Sequence, residues 1–188
     1  KKRSGLVLGE GAAAFVLQRR EHANPSLIRA EVVGYSSTMD SYMITDPHPG
    51  GTALAKAALD AINEAGITPD DIDCVHLHET GTLKNALAET NAMRKIFGDR
   101  FSDVPVFSLK GQVGHLIGAC GAIEIAAAIH TIQTQSVLPT VNFEEPDEEV
   151  PLRVIRDVPL RINIDYVLKL NSAFGGQNAA LVLKKYNA

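Results

Sequence analysis

Val106-Phe107-Ser108-Leu109-Lys110-Gly111-Gln112-Val113-Gly114-His115-Leu116-Ile117-Gly118-Ala119-Cys120-Gly121 passes from a short apolar run, through a glycine-bearing turn, into small residues. The pattern reads as a strand over Val106 to Ser108, a turn carrying Lys110 and His115, and a helix from Ala119 to Thr134. The same design stands upstream: Cys74 to His78 is a short buried strand, His78-Glu79-Thr80-Gly81-Thr82 a turn, and Asn85 to Phe97 a helix. Short apolar strands alternating with helices give an α/β fold class, with two imidazoles just past strand ends.

Working outward, Gly51 to Gly66 has Leu54, Ala57, Ala58, Leu59, Ile62 and Ala65 at helical spacing before a glycine stop. Pro69-Asp70-Asp71 resembles a helix entry, and Glu31 to Tyr35, Tyr166 to Ser172 and Asn178 to Leu183 read as strands, the last two flanking Phe174-Gly175-Gly176. Leu6 to Leu17 reads as two buried strands around Gly9-Glu10-Gly11. The chain opens on Lys1 with nothing before this hairpin to pair with it, so an upstream segment is expected to be missing. Between Gly118 and Ile129 the only charged residue is Glu124, so that helix should be packed on most sides. Pro139 to Pro151, with Glu144, Glu145, Asp147, Glu148 and Glu149, reads as a solvated acidic loop.

With 188 residues, 45% of them hydrophobic, the chain can build one sizeable core. Its net charge is -4 and its basic clusters are confined to Lys1-Lys2-Arg3 and Arg19-Arg20, read as solvated ends, so nucleic acid is not an evident partner. No apolar stretch approaches the roughly 20 residues of a membrane span, and no signal pattern opens the chain. A cytoplasmic location is expected. Cys74 and Cys120 both lie in apolar elements, which argues for reduced core thiols and against a disulfide framework or a metal cluster.

Five motifs in order resemble those of the β-ketoacyl synthases, the condensing enzymes of fatty-acid and polyketide assembly that share the thiolase fold. Arg3-Ser4-Gly5-Leu6-Val7-Leu8-Gly9-Glu10-Gly11-Ala12 resembles R-D-G-F-V-x-G-E-G-A, and Asp40 through Thr45, Pro47 and Pro49 to Gly51 resembles D-A-x-x-x-T-x-P-x-P-x-G. His78 to Thr82 resembles H-G-T-G-T, Ser108 to Gly121 resembles S-x-K-S-x-x-G-H-x-x-G-A-A-G, and Phe174 to Asn178 resembles F-G-G-x-N. The resemblance implies the C-terminal half of the layered αβαβα thiolase-like architecture, with residues 1–22 as terminal strands of the N-terminal half and 23–188 as the C-terminal domain.

In this family an acyl chain rides on a cysteine, and malonyl thioester loses carbon dioxide to give an enolate that attacks it. The resemblance makes His78 and His115 the donors that hold the enolate oxygen, a preorganised term worth about 3 to 4 kcal/mol per donor. Lys110 would keep both imidazoles uncharged. Glu124 would balance Lys110 or hold a structural ion. Phe174 and Gly175 would form the oxyanion and gating loop, and Thr80, Thr82, Thr45 and Asp40 would contact the phosphopantetheine arm. No cofactor is implied beyond that arm, carried by an acyl carrier protein. The implied partners are that protein and an N-terminal half carrying the nucleophilic cysteine, with completed units forming a dimer.

Neither Cys74 nor Cys120 aligns with the family nucleophile, which sits on a strand-to-helix turn of the other half. Glu79 stands where the family has glycine, Ala86 where it commonly has an acid, and Ser172-Ala173 where phenylalanine and glycine often precede the gate. These departures keep a second reading open, a noncatalytic partner like the chain-length factors, although the intact His78, His115 and Lys110 oppose it. A degradative thiolase is more distant, because its second reactive cysteine has no counterpart between Leu170 and Asn178.

Overall fold

The computed structural model describes residues 2–3 and 5–187; Lys1 and Ser4, which belong to the basic cluster and the first motif, and Ala188 lie outside the described residues. In chain order the elements are β1 Glu31–Met39, α1 Thr52–Glu64, β2 Cys74–His76, α2 Leu83–Phe97, β3 Pro105–Phe107, the single turn α3 Lys110–Val113 and α4 Cys120–Thr134. The short strands β4 Ser136–Val137, β5 Arg153–Val154 and β6 Leu160–Arg161 follow, then β7 Tyr166–Ala173 and β8 Gln177–Lys184.

Six strands form one sheet in the order β1-β8-β7-β2-β3-β5, while β4 and β6 pair separately. β1, β8 and β7 are antiparallel, and β7, β2, β3 and β5 run parallel. The parallel half needs helices on both faces, and the side-chain alternation supplies apolar surface to each. Val75, Val106, Leu168, Leu170 and Val182 face Leu54, Ala58 and Ile62 of α1 and Met93 and Ile96 of α2. Cys74, Phe107, Val167 and Leu183 face Ala127, Ala128 and Ile132 of α4. On β7 the second face also carries Lys169, fully enclosed between sheet and helix. Parallel order delivers the C-terminal ends of β2 and β3 to one edge of the sheet, beside each other, where the two turns begin.

Four expectations change. Leu6 to Leu17 does not close as a hairpin: its two extended runs do not pair with each other, and Leu8 instead bridges His115. Gly9 and Gly11 allow this approach, since a Cβ on Gly9 would lie 2.0 Å from the Val113 carbonyl oxygen and one on Gly11 2.7 Å from Leu116. The second run, with Val16 89% exposed, finds no strand among the described residues. The basic end is not simply solvated, because Arg3 pairs with Asp147 in a part-buried contact and Lys2 with Glu145 at 2.6 Å, drawing the acidic loop onto the chain start. Pro69–Asp71 is one 3-10 turn rather than a helix entry, closed by Asp71, which accepts from the Thr68 amide at 2.8 Å.

The fourth concerns α4, which buries one face and leaves Ile125 and Ile129 half-covered rather than packed on most sides. Ile117–Thr134, at 18 residues, does meet the length and composition of a short membrane span. Glu124 near its middle is ion-paired to two lysines, and the helix packs against β7, which places it as a layer of an α/β unit.

Gly34 sits at a break in the β1 ladder where α1 crosses closely, and a Cβ there would lie 2.0 Å from the Ala61 carbonyl oxygen. Gly34→Ala is expected to lower the unfolding free energy by about 1–3 kcal/mol through this overpacking, read from denaturant midpoints; an unchanged midpoint would contradict the contact.

Candidate functional site

The turn after β2 is fixed from behind by α2. Glu89 accepts from the His78 amide at 2.6 Å and from the Glu79 amide at 2.9 Å, and Asn85, one helical turn earlier, donates to the same carboxylate at 2.7 Å. These bonds hold Glu79 in a left-handed conformation, φ 37°, where a side chain costs on the order of 1–3 kcal/mol. A buried Oε2 of Glu79 has no hydrogen-bond partner. Burial and the neighbouring Glu89 push the Glu79 carboxyl up to about 7, against the pull of Arg3 and Lys110.

The turn after β3 is held by the chain start, since the His115 amide donates to the Val7 carbonyl at 2.7 Å and the Gly9 amide to the His115 carbonyl at 3.1 Å. Ile117, β-branched yet at φ 53°, donates its amide to His115 Nδ1 at 3.0 Å. An acceptor Nδ1 places the proton of the neutral imidazole on Nε2. Cys120 Sγ lies 3.4 Å from the same nitrogen and accepts the Leu116 amide at 3.1 Å.

His78 reaches the same state by other means. Its Nδ1 lies 3.2 Å from Lys110 Nζ and 3.3 Å from Asn171 Nδ2, and both neighbours can only donate. The Asn171 amide cannot be turned round, because the same nitrogen donates to Glu124 Oε2 at 3.0 Å. Nε2 therefore carries the proton in His78 as well. The two rings are perpendicular with centroids 5.5 Å apart. Burial, then Lys110 and Lys169, hold His78 well below the usual imidazole range, and burial and Lys110 lower His115 too.

Beneath the rings lies a buried charge cluster. Glu124 ion-pairs through Oε1 with Lys110 and through Oε2 with Lys169 at 2.9 Å. Burial alone would raise its carboxyl, but Lys169, His76 and Lys110 outweigh that and bring it to about 2. Glu124 thus balances lysines, the first of the two roles open to it. His76 points the same way from β2, stacked edge-on against Phe107, and burial with Lys169 drives it down to about 3.

Of the residues expected at a site, His78, Lys110, His115 and Glu124 converge directly. Thr80 and Thr82 stand beside them with their hydroxyls 3.0 Å apart, and Lys110, His115, Glu79 and Thr80 line a cavity of about 700 Å³. Phe174 follows Asn171 by three residues, 71% exposed, on a turn where Gly175 takes φ 81° and donates to the Ile44 carbonyl at 2.6 Å. Asp40 braces that turn, accepting from Asn178 at 3.0 Å and from the His48 amide at 2.8 Å, so both its oxygens are engaged in loop structure. Thr45 is exposed on the same loop. Sequence reading missed Glu89, Asn171 and Lys169. Only Lys169 left a signal, a charge inside an apolar strand.

Residues 29–144 match the β-ketoacyl synthase C-terminal domain. The chain belongs to the β-ketoacyl synthase family. It is 38% identical over 98% of its length to the tetracenomycin polyketide synthase ketoacyl synthase alpha subunit of Streptomyces glaucescens, covering 44% of that protein. It is 37% identical over 99% of its length to 3-oxoacyl-[acyl-carrier-protein] synthase 2 of Staphylococcus aureus, covering 45%. The ishigamide ketosynthase/chain length factor structure superposes over 100% of the chain and 46% of its own length, with TM-score 0.93 and 32% identity. A type II polyketide acyl-carrier protein in complex with its ketosynthase matches at TM-score 0.82 and 32% identity over 85% of the chain and 39% of its own. The chain therefore spans just under half of the synthases it matches, and its sheet and helices are the C-terminal half of their thiolase-like fold.

Because Glu124 neutralises two buried ammonium groups, Glu124→Gln is expected to cost about 3–5 kcal/mol of stability, measured by urea unfolding. A loss below 1 kcal/mol would show the cluster to be solvated.

Proposed function

We propose that the chain supplies the enolate-holding half of a β-ketoacyl synthase, acting on malonyl thioester carried by an acyl carrier protein. The observation that carries this reading is the geometry at the two rings: each Nδ1 has a donor within 3.2 Å, which leaves Nε2 to hold the proton of an uncharged imidazole, and the ring centroids lie 5.5 Å apart. In the proposed reaction the bond from the malonyl α-carbon to its carboxylate breaks, and its electron pair moves to the thioester as an enolate. The two Nε2–H groups donate to that enolate oxygen. The enolate carbon then bonds to the acyl thioester carbonyl, expelling the thiolate of the complementary half, which takes up a proton.

Lys110 acts by keeping His78 uncharged and its donor proton on Nε2. Thr80 and Thr82 are suited to the amides of a phosphopantetheine arm, and Phe174 with Gly175 to a gate at its inner end. Asp40 braces the gate loop through Asn178 and the His48 amide, and the exposed Thr45 is left to contact the arm. The nucleophile is assigned to the complementary half, since the Cys74 thiol is pushed up by burial and Cys120 is 3% exposed. Residues 1–22 are read as belonging with that half, residues 23–188 as the C-terminal domain, and the completed units as cytoplasmic dimers.

One observation favours a noncatalytic partner instead: Glu79 places a carboxyl beside His78 where the family motif has glycine. In the complete protein, His78→Ala and His115→Ala should each slow carbon dioxide release from malonyl thioester by about 10²–10³-fold. Release at the wild-type rate in both variants would favour the partner reading.

A further inference from the structure

Glu124 is held by two lysines, and the reaction described above uses only one of them. Lys169 lies on β7, 2% exposed, with its ammonium 2.9 Å from Glu124 Oε2 and a further bond to the Leu170 carbonyl. Lys110 takes the other oxygen and also reaches His78 Nδ1. Each carboxylate oxygen thus has its own cation. The charged or titratable groups facing Lys169 are Glu124 from α4, Lys110 from α3, His76 and His78 from β2 and the turn after it, and Glu89 from α2.

His78 also faces His115 from the turn after β3 and the neighbouring Glu79, whose carboxyl burial raises toward its uncharged form. The carboxylates of Glu89 and Glu124 and the ammonium groups of Lys110 and Lys169 then make this enclosed cluster neutral when His76 and His78 are uncharged. Without the Lys169 charge the cluster carries a net negative charge around His78. An imidazole in such a site gains a proton more readily, and the first nitrogen open to it is Nδ1. Protonated there, His78 can no longer accept from Lys110 or Asn171, and both donors would face an N–H. Lys110 would also be the only ammonium left to neutralise Glu124, drawing it away from the ring.

We propose that Lys169 is a positioning residue: by neutralising the second oxygen of Glu124 it leaves Lys110 free to donate to His78 and holds His78 as the uncharged Nε2–H form. For its effect on rate this rests on the enolate-holding reading of His78, but its effect on the ring does not. Burial has brought Lys169 to about 8, so its ammonium is present at the neutral and mildly acidic pH where His78 needs it.

The test uses the complete protein, with His78 followed by imidazole ¹⁵N resonances and the rate of carbon dioxide release by its pH profile. In Lys169→Met and Lys169→Gln, the His78 titration and the acid limb of kcat are expected to move up together by on the order of one pH unit, with KM little changed. Lys169→Arg should return both to wild-type positions. A His78 titration unmoved in a folded neutral variant would overturn the proposal, as would a shift in Lys169→Arg. Should the neutral variants fail to fold, the wild-type protein decides: the Lys169 Nζ resonance must report an ammonium at pH 6.5, and an uncharged amine there overturns it. A moved ring titration with an unmoved rate would instead count against the enolate-holding reading, leaving the role of Lys169 intact.

Discussion

Everything at the candidate site depends on one buried carboxylate. Glu124 is 1% exposed, and an ion in that position is tolerated only if its charge is matched and its lone pairs are used. Lys110 does this from α3 and Lys169 and Asn171 from β7, so the carboxylate of α4 also fixes where those elements meet. Two of its three partners pass the constraint on to His78. The state of the imidazole is therefore set by a charge balance in the core rather than by anything at the surface of the cavity.

The other ring is governed differently. His115 is half-buried, and its orientation comes from backbone, an amide of a strained isoleucine on one side and the chain start on the other. A β-branched residue in the left-handed region is rarely tolerated, and Glu79, unbranched at Cβ but also at positive φ, lies only one residue past His78. Both cost free energy locally, and both stand beside the pair of rings, the pattern expected where surrounding structure over-determines a site. The Glu79 carboxyl adds to this, raised by burial and by Glu89 and lining the same cavity as Arg3.

Much of the fold was legible because short buried strands followed by glycine-bearing turns have few alternatives. Cys74 to His78 and Val106 to Ser108 were placed within two residues, as were helices α2 and α4. The beginning of the chain was misread for a physical reason: alternating apolar residues around Gly9-Glu10-Gly11 are compatible with a hairpin, but the glycines serve a close approach to the turn at Val113 instead. Among site residues, His78, Lys110, His115 and Glu124 could be found because motif spacing ties them to turn and helix positions. Lys169 stands out only as a charge inside an apolar strand, and Glu89 and Asn171 not at all, since each contributes through the sheet or through a neighbouring helix, at separations of 10 to 93 residues from the groups they hold. Asp40 was legible as a loop residue, but not as the brace of the Phe174 turn 138 positions away in the chain from Asn178.

The proposed chemistry needs both imidazoles uncharged at neutral pH with their protons on Nε2. The direct measurement is the ¹⁵N tautomer pattern of His78 and His115 in the complete protein at pH 7. Two Nε2–H imidazoles are expected. An Nδ1–H tautomer or an imidazolium at either position would contradict the geometry on which the proposed chemistry stands.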